Sequence, residues 1–133
     1  MLDKLIINTR SREEFVEITP QVEEIVNRQQ IKEGICLIFV PHTTCGILIN
    51  ENADRDVQRD IISHLKKLVP PGSSFRHREG NADAHIKSVL VNSSLPLLIE
   101  KGYLLLGRWQ GIFLAEFDGP RRREVWVKLV KSS

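Results

Sequence analysis

Residues 35–50, ICLIFVPHTTCGILIN, contain the two strands from which the rest of the fold can be predicted. Ile35 to Val40 form a continuous apolar run, which is typical of a strand buried on both faces. Ile47 to Ile49 predict a neighbouring strand. The polar segment His42-Thr43-Thr44 lies between the two. Because a rigid strand can present the residues at its end to a cleft, this segment is the first candidate for a functional site.

The segments before this pair predict two strands and one helix. The strands are Leu2 to Thr9 and Glu14 to Ile18. Thr19-Pro20 favours the start of a helix, because the threonine hydroxyl can act as N-cap and proline suits the first helical position. We expect this helix to end near Gly34. Its apolar face consists of Val22, Ile25 and Val26.

The segments after the pair predict two helices and four strands. Apolar residues recur every three or four positions from Asn52 to Leu68, which indicates a helix. A polar loop over residues 70–81 separates it from a third helix, Asn81 to Val91. The residues of that helix expected to face inward are Ala84, Val89 and Leu90. The strands are predicted at Leu97 to Ile99, Tyr103 to Leu106, Gln110 to Phe117 and Val125 to Val130. Seven or eight strands with three helices indicate an α+β fold with a mainly antiparallel sheet.

The composition predicts one soluble globular domain covering residues 1–133. Of the 133 residues, 41% are hydrophobic and 27% are charged, and two cysteines are too few for a disulfide scaffold. A formal net charge of +2 argues against a dedicated nucleic-acid-binding protein. No apolar run approaches the roughly 20 residues that a membrane-spanning helix needs, and the N-terminus has no signal-like core. We therefore expect a cytoplasmic protein without nucleic-acid or membrane partners.

Three histidines, His42, His77 and His85, are candidates for a divalent metal site, because neutral imidazole suits zinc and similar metals. Their spacing matches no HExxH motif. The short step from His77 to His85 allows both rings to converge if the Gly80-Asn81 turn folds back. Two interpretations stay open from the residues alone. The histidines either bind a metal or transfer protons, or they make hydrogen bonds within their loops.

Acidic residues gather at the start of the second predicted helix. Asn50-Glu51 leads into this helix, and Asp54 and Asp56 lie in its first turn, where negative charge favours the helix dipole. Asp56 and Asp60 share one face of the helix. Such a face is either simply solvated or a site for magnesium, and the spacing leaves both alternatives open.

Two segments near the C-terminus carry further candidates. Arg121 follows the turn Asp118-Gly119-Pro120, and its planar guanidinium suits a phosphate or carboxylate. Arg121 and Arg123 alternate, so we expect them to share one face of the following strand. Trp109 is more typical of a core or an interface than of a substrate platform. Gln110 can make a directional hydrogen bond to a heteroaromatic ring.

Several motifs occur in a defined order along the chain. They are His42-Thr43-Thr44; Asn50-Glu51 with Asp54, Asp56-Val57 and Asp60; His77-Arg78-Glu79-Gly80-Asn81 with Ala84-His85; Gly107-Arg108-Trp109-Gln110; and Asp118-Gly119-Pro120-Arg121. In this order and spacing, from about Ile6 to Val130, the sequence resembles the YjbQ-like family, whose members are commonly called secondary thiamine-phosphate synthases. It departs from the family's pattern at Arg55, where proline is usual, and at Asn92, where glycine is usual.

The resemblance implies an α+β fold with a mainly antiparallel β-sandwich core, about three helices, and assembly into a homotrimer. The implied activity is a weak thiamine-phosphate synthase reaction, which couples an aminopyrimidine diphosphate to a thiazole phosphate. Two alternatives stay open: a metal-dependent hydrolase of another small phosphorylated or heteroaromatic compound, and a non-catalytic trimeric ligand-binding module. The expected ligand is a small phosphorylated compound. The expected cofactor is a divalent metal, zinc or magnesium, with no organic cofactor.

The resemblance also implies roles for individual residues. The expected catalytic residues are His42, His77, His85 and Glu51. The three histidines are also the expected metal ligands, with Asp54 and Asp60 as a second, acidic site. The residues expected to bind substrate are Thr43, Thr44, Asn81, Trp109, Gln110, Glu116, Asp118 and Arg121.

Overall fold

The structure, a computed structural model, describes residues 1–72 and 74–132, so Ser73 of the predicted loop and Ser133 of the predicted domain lie outside the described residues. Within these ranges the chain forms eight strands and three helices. The strands are β1 (Leu2–Asn8), β2 (Glu14–Glu17), β3 (Gly34–Phe39), β4 (Cys45–Glu51), β5 (Ser94–Glu100), β6 (Tyr103–Leu104), β7 (Gln110–Glu116) and β8 (Arg122–Lys131). The helices are α1 (Thr19–Gln29), α2 (Arg55–Leu68) and α3 (Ala82–Val91). No helix in these ranges is long and apolar enough to cross a membrane.

The strands form two sheets whose pairings within the described ranges are all antiparallel. One sheet has five strands in the order β1-β8-β3-β5-β6, and the other has three in the order β2-β7-β4. Apolar side chains from both sheets and from α1 pack together in the core. Among them are Ile38, Val127, Ile47, Leu114 and Val22. The predicted α+β fold with an antiparallel sandwich core is confirmed.

Helices α2 and α3 lie against the other face of the three-stranded sheet. Because side chains alternate along a strand, Ile47 of β4 belongs to the core between the sheets, whereas Leu48 packs in a second apolar cluster. That second cluster contains Ala84 of α3, Ala115 and Phe117, with Leu65 of α2 packed against it. The three-stranded sheet is therefore covered on both faces.

The five-stranded sheet has one covered face, so the prediction that Ile35 to Val40 are buried on both faces is wrong for a single chain. Cys36 and Ile38 are buried, but Ile35, Leu37 and Phe39 are 44%, 42% and 40% exposed. The register places Leu98 and Val130 on either side of Ile35, and both are exposed. We call these five side chains the outer apolar face. Helix α1 packs in the core and α2 and α3 lie on the three-stranded sheet, so none of the described helices covers this face.

Helix α3 is rotated relative to its prediction. Ala84 is buried as expected, but Val89 and Leu90 are 79% and 53% exposed. Asp83, Lys87 and Ser88 are buried in their place. The cause is ionic, because Lys87 Nζ donates to Glu13 at 2.9 Å and to Asp83 at 3.0 Å. Arg12 donates to both oxygens of Asp83 at 3.1 and 3.3 Å. We call Arg12, Glu13, Asp83 and Lys87 the helix-anchor cluster.

Helix α1 has the predicted apolar face, with Val22, Ile25 and Val26 buried, but different ends. Its N-cap is Ile18, because the Thr19 hydroxyl accepts the Ile112 N–H at 2.8 Å and donates to Glu17 at 2.9 Å. The helix ends at Gln29, and Gln30 adopts the left-handed conformation that terminates it. Gly34, the predicted end, instead begins β3.

Candidate functional site

Most of the predicted site residues line one polar cleft of about 410 Å³ at the end of the sandwich. The cleft is lined by residues from the β3–β4 loop, the loop before α3, α3 itself and the turn before β8. The predicted residues that line it are His42, Thr43, Thr44, His77, Asn81, His85, Asp118 and Arg121. Glu79 and Arg123 also line it, although neither was among the expected site residues. We call this space the polar cleft.

His42 is held in one tautomer by the neighbouring strand. Its Nε2 accepts the backbone N–H of Glu124, the third residue of β8, at 2.9 Å. A neutral imidazole that accepts at Nε2 carries its proton on Nδ1. Burial lowers the pKa of His42, and the positive charge of Arg123 lowers it further. His42 is therefore favoured as a neutral hydrogen-bond donor through Nδ1.

His77 and His85 come together from different elements. His77 lies in the loop before α3, and His85 lies on α3. Their ring centroids are 5.1 Å apart, and the rings meet edge to face at 78°. Gly80, between them, has a φ of 80°, which a glycine adopts without strain. The convergence that the sequence allowed through the Gly80-Asn81 turn is thus present.

Asn81 carries an unused acceptor beside these rings. Its Nδ2 donates to Asp118 Oδ2 at 2.8 Å. Because a carboxylate only accepts hydrogen bonds, this contact determines which way the amide is turned. Asn81 is 8% exposed, and its Oδ1 is buried with no hydrogen-bond partner in residues 1–72 and 74–132. A buried unpaired acceptor is uncommon in native proteins and favours a ligand that donates to it.

Arg121 is held in place by two hydrogen bonds to Asp118. Its Nε donates to the Asp118 carbonyl at 2.8 Å, and its Nη2 donates to the Asp118 carboxylate at 3.0 Å. The remaining N–H groups of the half-exposed guanidinium are available for an anion. The turn before it needs glycine at 119, because a Cβ there would lie 2.3 Å from the Ser11 carbonyl oxygen and 2.8 Å from Glu116 Cγ.

A buried ion pair lies beneath the polar cleft, which only its arginine lines. Glu116 is 0% and Arg123 is 4% exposed, and Arg123 Nε donates to Glu116 Oε1 at 2.9 Å while its Nη2 donates to Oε2. Thr9 donates to Glu116 at 2.7 Å, and Arg123 donates to the Thr44 hydroxyl at 2.8 Å. We call Glu116 and Arg123 the cleft-floor pair. Glu116 was expected to bind substrate, but its contacts make it a support for the turn that carries Arg121.

The same contacts set the protonation of the cleft-floor pair. Burial by itself raises the pKa of Glu116, but hydrogen bonds from Arg123, from Thr9 and from the Asp118 backbone outweigh it and lower the pKa. Burial likewise lowers the pKa of Arg123, and its bonds to Glu116 reverse the effect and raise it. Both groups are therefore charged at neutral pH.

Five predicted residues lie at the opposite end of the three-stranded sheet. Glu51 pairs with Gln110, whereas Cys45 pairs with Glu116, so six residue steps, or roughly 20 Å, separate the two ends. The Gln110 side chain accepts the Gly107 N–H at 2.7 Å within its own turn. Trp109 precedes Gln110 at this end and its carbonyl accepts the Asn52 N–H, and α2, which Asp54 caps and which carries Asp60, begins here. Within one chain these five do not reach the polar cleft.

The remaining contacts of this far end are local. Asp54 caps α2, since its side chain accepts the Asp56 N–H at 2.9 Å. Trp109 is exposed, and the Arg108 guanidinium lies 4.9 Å from its ring centroid. These contacts account for Asp54 and Trp109 without a ligand.

The histidines do not assemble into the expected three-ligand metal site. In residues 1–72 and 74–132, no three His, Cys, Asp or Glu side chains lie close enough together to hold a metal ion. His42 Nε2 already accepts the Glu124 N–H, so in the neutral ring neither nitrogen offers a free lone pair. Binding of zinc or magnesium stays a prediction.

Cys45 lies beside the polar cleft but packs in the core between the sheets. It is buried at the start of β4, and burial raises the pKa of its thiol to about 12. A thiol in that state supplies little thiolate at neutral pH. Cys36 is likewise buried with a pKa raised to about 12.

The fold and the site define a class of small α+β sandwich proteins with a histidine- and arginine-lined cleft at one end. The chain belongs to the YjbQ-like family: residues 3–132 match the family of UPF0047 protein YjbQ-like. It is 55% identical over 130 residues to UPF0047 protein MJ1081 of Methanocaldococcus jannaschii, covering 98% of this chain and 94% of that protein. It is 45% identical over 131 residues to UPF0047 protein YugU of Bacillus subtilis, covering 98% and 99%.

Solved structures of relatives have the same fold. A YjbQ/UPF0047 protein from Clostridium acetobutylicum is 46% identical, with a TM-score of 0.95 over 96% of this chain and 99% of that one. A YjbQ-like protein of unknown function from Sulfolobus solfataricus is 38% identical, with a TM-score of 0.95 over 99% and 97%. The names of these four relatives specify no reaction, so the function rests on the geometry of the cleft.

Proposed function

We propose that the polar cleft binds a small phosphorylated compound and that the protein is a weak transferase of the thiamine-phosphate synthase kind. The observation that carries the proposal is the position of Arg121. Its guanidinium is anchored by Asp118 in the same cleft as the edge-to-face pair His77 and His85. An anchored guanidinium binds phosphate at a small entropic cost, because its geometry is already set.

The proposed reaction requires the cleft to stabilise a departing diphosphate. The C–O bond between the aminopyrimidine's methylene carbon and its diphosphate breaks, and the electron pair leaves with the diphosphate. The thiazole nitrogen of the second substrate then forms the new C–N bond to that carbon. Positive groups aimed at the leaving oxygens lower the barrier of such a step.

Five side chains of the polar cleft fit the proposed ligand and its reaction. Arg121 neutralises diphosphate charge, and Asn81 Oδ1 accepts a hydrogen bond from the ligand. His77 and His85 donate hydrogen bonds or protons to the leaving oxygens. His42, favoured as a neutral Nδ1 donor, adds a hydrogen bond that does not depend on protonation.

A pair of arginine variants tests the anion site. Arg121→Gln removes the anchored charge, whereas Arg122→Gln removes an exposed charge that contacts only Glu124 at 3.4 Å among its side-chain partners in the described ranges. Calorimetric titration with inorganic pyrophosphate should show about ten-fold weaker binding for Arg121→Gln or more, and unchanged binding for Arg122→Gln. Equal binding by both variants, or no binding by the unmodified protein, would overturn the proposal.

A second measurement tests the reaction itself. Aminopyrimidine diphosphate and thiazole phosphate are incubated with the protein, and thiamine phosphate and released pyrophosphate are quantified. We expect slow product formation that His85→Gln reduces more than it reduces pyrophosphate binding. Elemental analysis of the same preparation tests the alternative: hydrolysis of the aminopyrimidine diphosphate without thiamine phosphate formation, lost when a stoichiometric metal is removed, would favour the metal-dependent hydrolase instead.

We also propose that the outer apolar face is the contact between copies in a homotrimer. Its five apolar side chains are contiguous across β3, β5 and β8, and a contiguous exposed patch favours a protein contact. Phe39 also packs on Trp126 of β8, with ring centroids 5.9 Å apart. Because β8 also provides the N–H that holds His42, contact at this face would stiffen the wall of the polar cleft.

Light scattering on two leucine variants tests this assembly. Leu37→Asp places a charge in the centre of the outer apolar face, and Leu68→Asp places one at the exposed end of α2. We expect the unmodified protein and Leu68→Asp to have the mass of three chains and Leu37→Asp to dissociate. A Leu37→Asp protein that keeps the trimeric mass would contradict the proposed contact.

A further inference from the structure

A second cleft of about 400 Å³ adjoins the polar cleft and shares His42, Thr43 and His85 with it. Its other lining residues are Cys45, Ser88, Val89, Asn92 and Ser93. Among residues 1–72 and 74–132, no arginine, lysine or carboxylate lines this second cleft, in contrast to the polar cleft. The two clefts therefore offer one ligand an ionic end and a weakly polar end, with two histidines between them.

Asn92, at the end of α3, has a backbone conformation that is almost confined to glycine. Its φ is 92° and its ψ is 154°. The surrounding backbone imposes these angles. The Asn92 N–H donates to the Ser88 carbonyl at 3.1 Å, and the Asn92 carbonyl accepts the Ile47 N–H at 3.0 Å. The next residue is held as well, because the Ser93 carbonyl accepts the Val40 N–H at 2.7 Å.

The three-stranded sheet approaches this turn closely. A Cβ on Gly46 would lie 2.6 Å from the Asn92 carbonyl oxygen, so β4 has a glycine where the turn crosses it. The turn therefore cannot relax by shifting away from its strained angles. Glycine at 92 would adopt the same angles without strain. An asparagine in this place costs stability, and strained residues of this kind concentrate at binding sites.

The Asn92 side chain is exposed to the second cleft, and its amide makes no hydrogen bond to residues 1–72 or 74–132. A primary amide offers one acceptor and two donors in a plane. This pattern is complementary to a heterocycle with an amino group next to a ring nitrogen. The amide oxygen accepts from the amino group, while the amide nitrogen donates to the ring nitrogen.

We propose that Asn92 is a specificity-determining residue that recognises the aminopyrimidine ring of the ligand in the second cleft. The inference rests on the proposed function, because Arg121 in the polar cleft holds the diphosphate of the same molecule. The bond that breaks then lies beside His42 and His85, which both clefts share.

Calorimetric titration of Asn92→Gly with two probes tests this role. The probes are an aminopyrimidine diphosphate, which has the ring, and inorganic pyrophosphate, which lacks it. We expect the variant to bind the aminopyrimidine diphosphate about ten-fold more weakly, the usual loss for a paired amide contact, and to bind pyrophosphate unchanged. Its melting temperature should rise, because the strain at residue 92 is removed. A purely structural role for the side chain would not weaken binding while raising stability.

Two further variants control the experiment. Lys101→Gly relieves another positive φ, of 52°, away from both clefts, so it should raise the melting temperature without changing either affinity. Asn92→Asp removes the amide donors and should also lose the ring-bearing probe selectively. If Asn92→Gly binds both probes like the unmodified protein, or weakens both equally, the role of Asn92 is overturned while the proposed function stands. If the unmodified protein binds neither probe, both are overturned.

Discussion

Two buried ionic clusters lie close together in this protein, and they differ in how many partners each charge has. The loop between β1 and β2 contributes to both: Thr9 contacts the cleft-floor pair, and Arg12 and Glu13 belong to the helix-anchor cluster. In the cleft-floor pair, Glu116 contacts one cation within the described residues, Arg123. In the helix-anchor cluster, Asp83 contacts two cations.

The two clusters therefore hold their buried charges in place in different ways. The cleft-floor pair is a single, closely bonded contact that holds one turn, and the Asp118 backbone N–H that begins this turn donates to Glu116 at 3.0 Å. The helix-anchor cluster distributes its charges over a loop and a helix, which leaves alternatives if one member is lost. Because an unpaired buried charge is costly, the first arrangement should be far less tolerant of substitution than the second.

Arg123→Met should have the largest effect. It leaves Glu116 buried without a cation, so we expect a loss of about 3–5 kcal/mol in the free energy of unfolding. Urea denaturation measures the loss. The double variant with Glu116→Leu should recover much of it, since no buried charge remains. A loss below about 1 kcal/mol would mean that Glu116 finds another partner or takes up a proton.

Lys87→Met should cost less, although Lys87 is the more deeply buried cation. Asp83 keeps its two bonds from Arg12, and Lys66 lies 3.9 Å from Glu13. We expect a loss of about 1–3 kcal/mol in the same urea experiment. If Lys87→Met lowers the free energy of unfolding as much as Arg123→Met does, the two clusters do not differ in their tolerance of substitution.

Acid should weaken both clusters in the same direction. Burial raises the pKa of Asp83, but bonds from Arg12 and Lys87 outweigh it, so the pKa is lowered, as it is for Glu116. A carboxylate with a lowered pKa contributes stability above its unfolded pKa of about 4, and loses it as the pH falls through the folded value. Urea midpoints should therefore hold from pH 7 to about 5 and fall towards pH 3. Glu116→Gln should flatten that fall; an unchanged slope would exclude Glu116 as its source.

Arg59→Ala should have the smallest effect and serves as the baseline. Arg59 pairs with Asp56 at 3.4 Å on the exposed surface of α2, where water and salt screen the attraction. We expect a change below about 0.5 kcal/mol. A larger change would indicate that α2 depends on its surface charges more than the exposure of this pair suggests.

The exposed polar residues of the site could be predicted more readily than the buried ones. His42, His77, His85 and Arg121 are polar residues at strand ends and turns, so motif order alone was enough to group them. Arg123 was harder, because it alternates with Val125 and Val127 on the inward face of β8 and only a buried partner makes that position acceptable. An arginine in phase with buried valines is a signal that could have identified it.

Hydrophobic periodicity failed to predict which face of helix α3 is buried. Val89 and Leu90 were predicted to face inward because they are apolar, yet Asp83 and Lys87 occupy the buried face. Hydrophobic periodicity cannot reveal that Glu13 and Arg12, some seventy positions earlier in the chain, neutralise these charges. The rotation of α3 also sets where Asn92 and His85 lie, so two cleft residues depend on a contact that no local pattern contains.

The sequence by itself determined the number and order of strands and helices and the family to which the chain belongs. These follow from local periodicity, turn residues and motif order, all of which act over short stretches of chain. Only the tertiary structure decided which face of α3 is buried and which face of the five-stranded sheet remains uncovered. It also decided how the expected site residues divide between the two ends of the three-stranded sheet. Those outcomes depend on pairing buried charges and covering apolar surface between segments far apart in sequence, and the free energy of such contacts exists only once the segments meet.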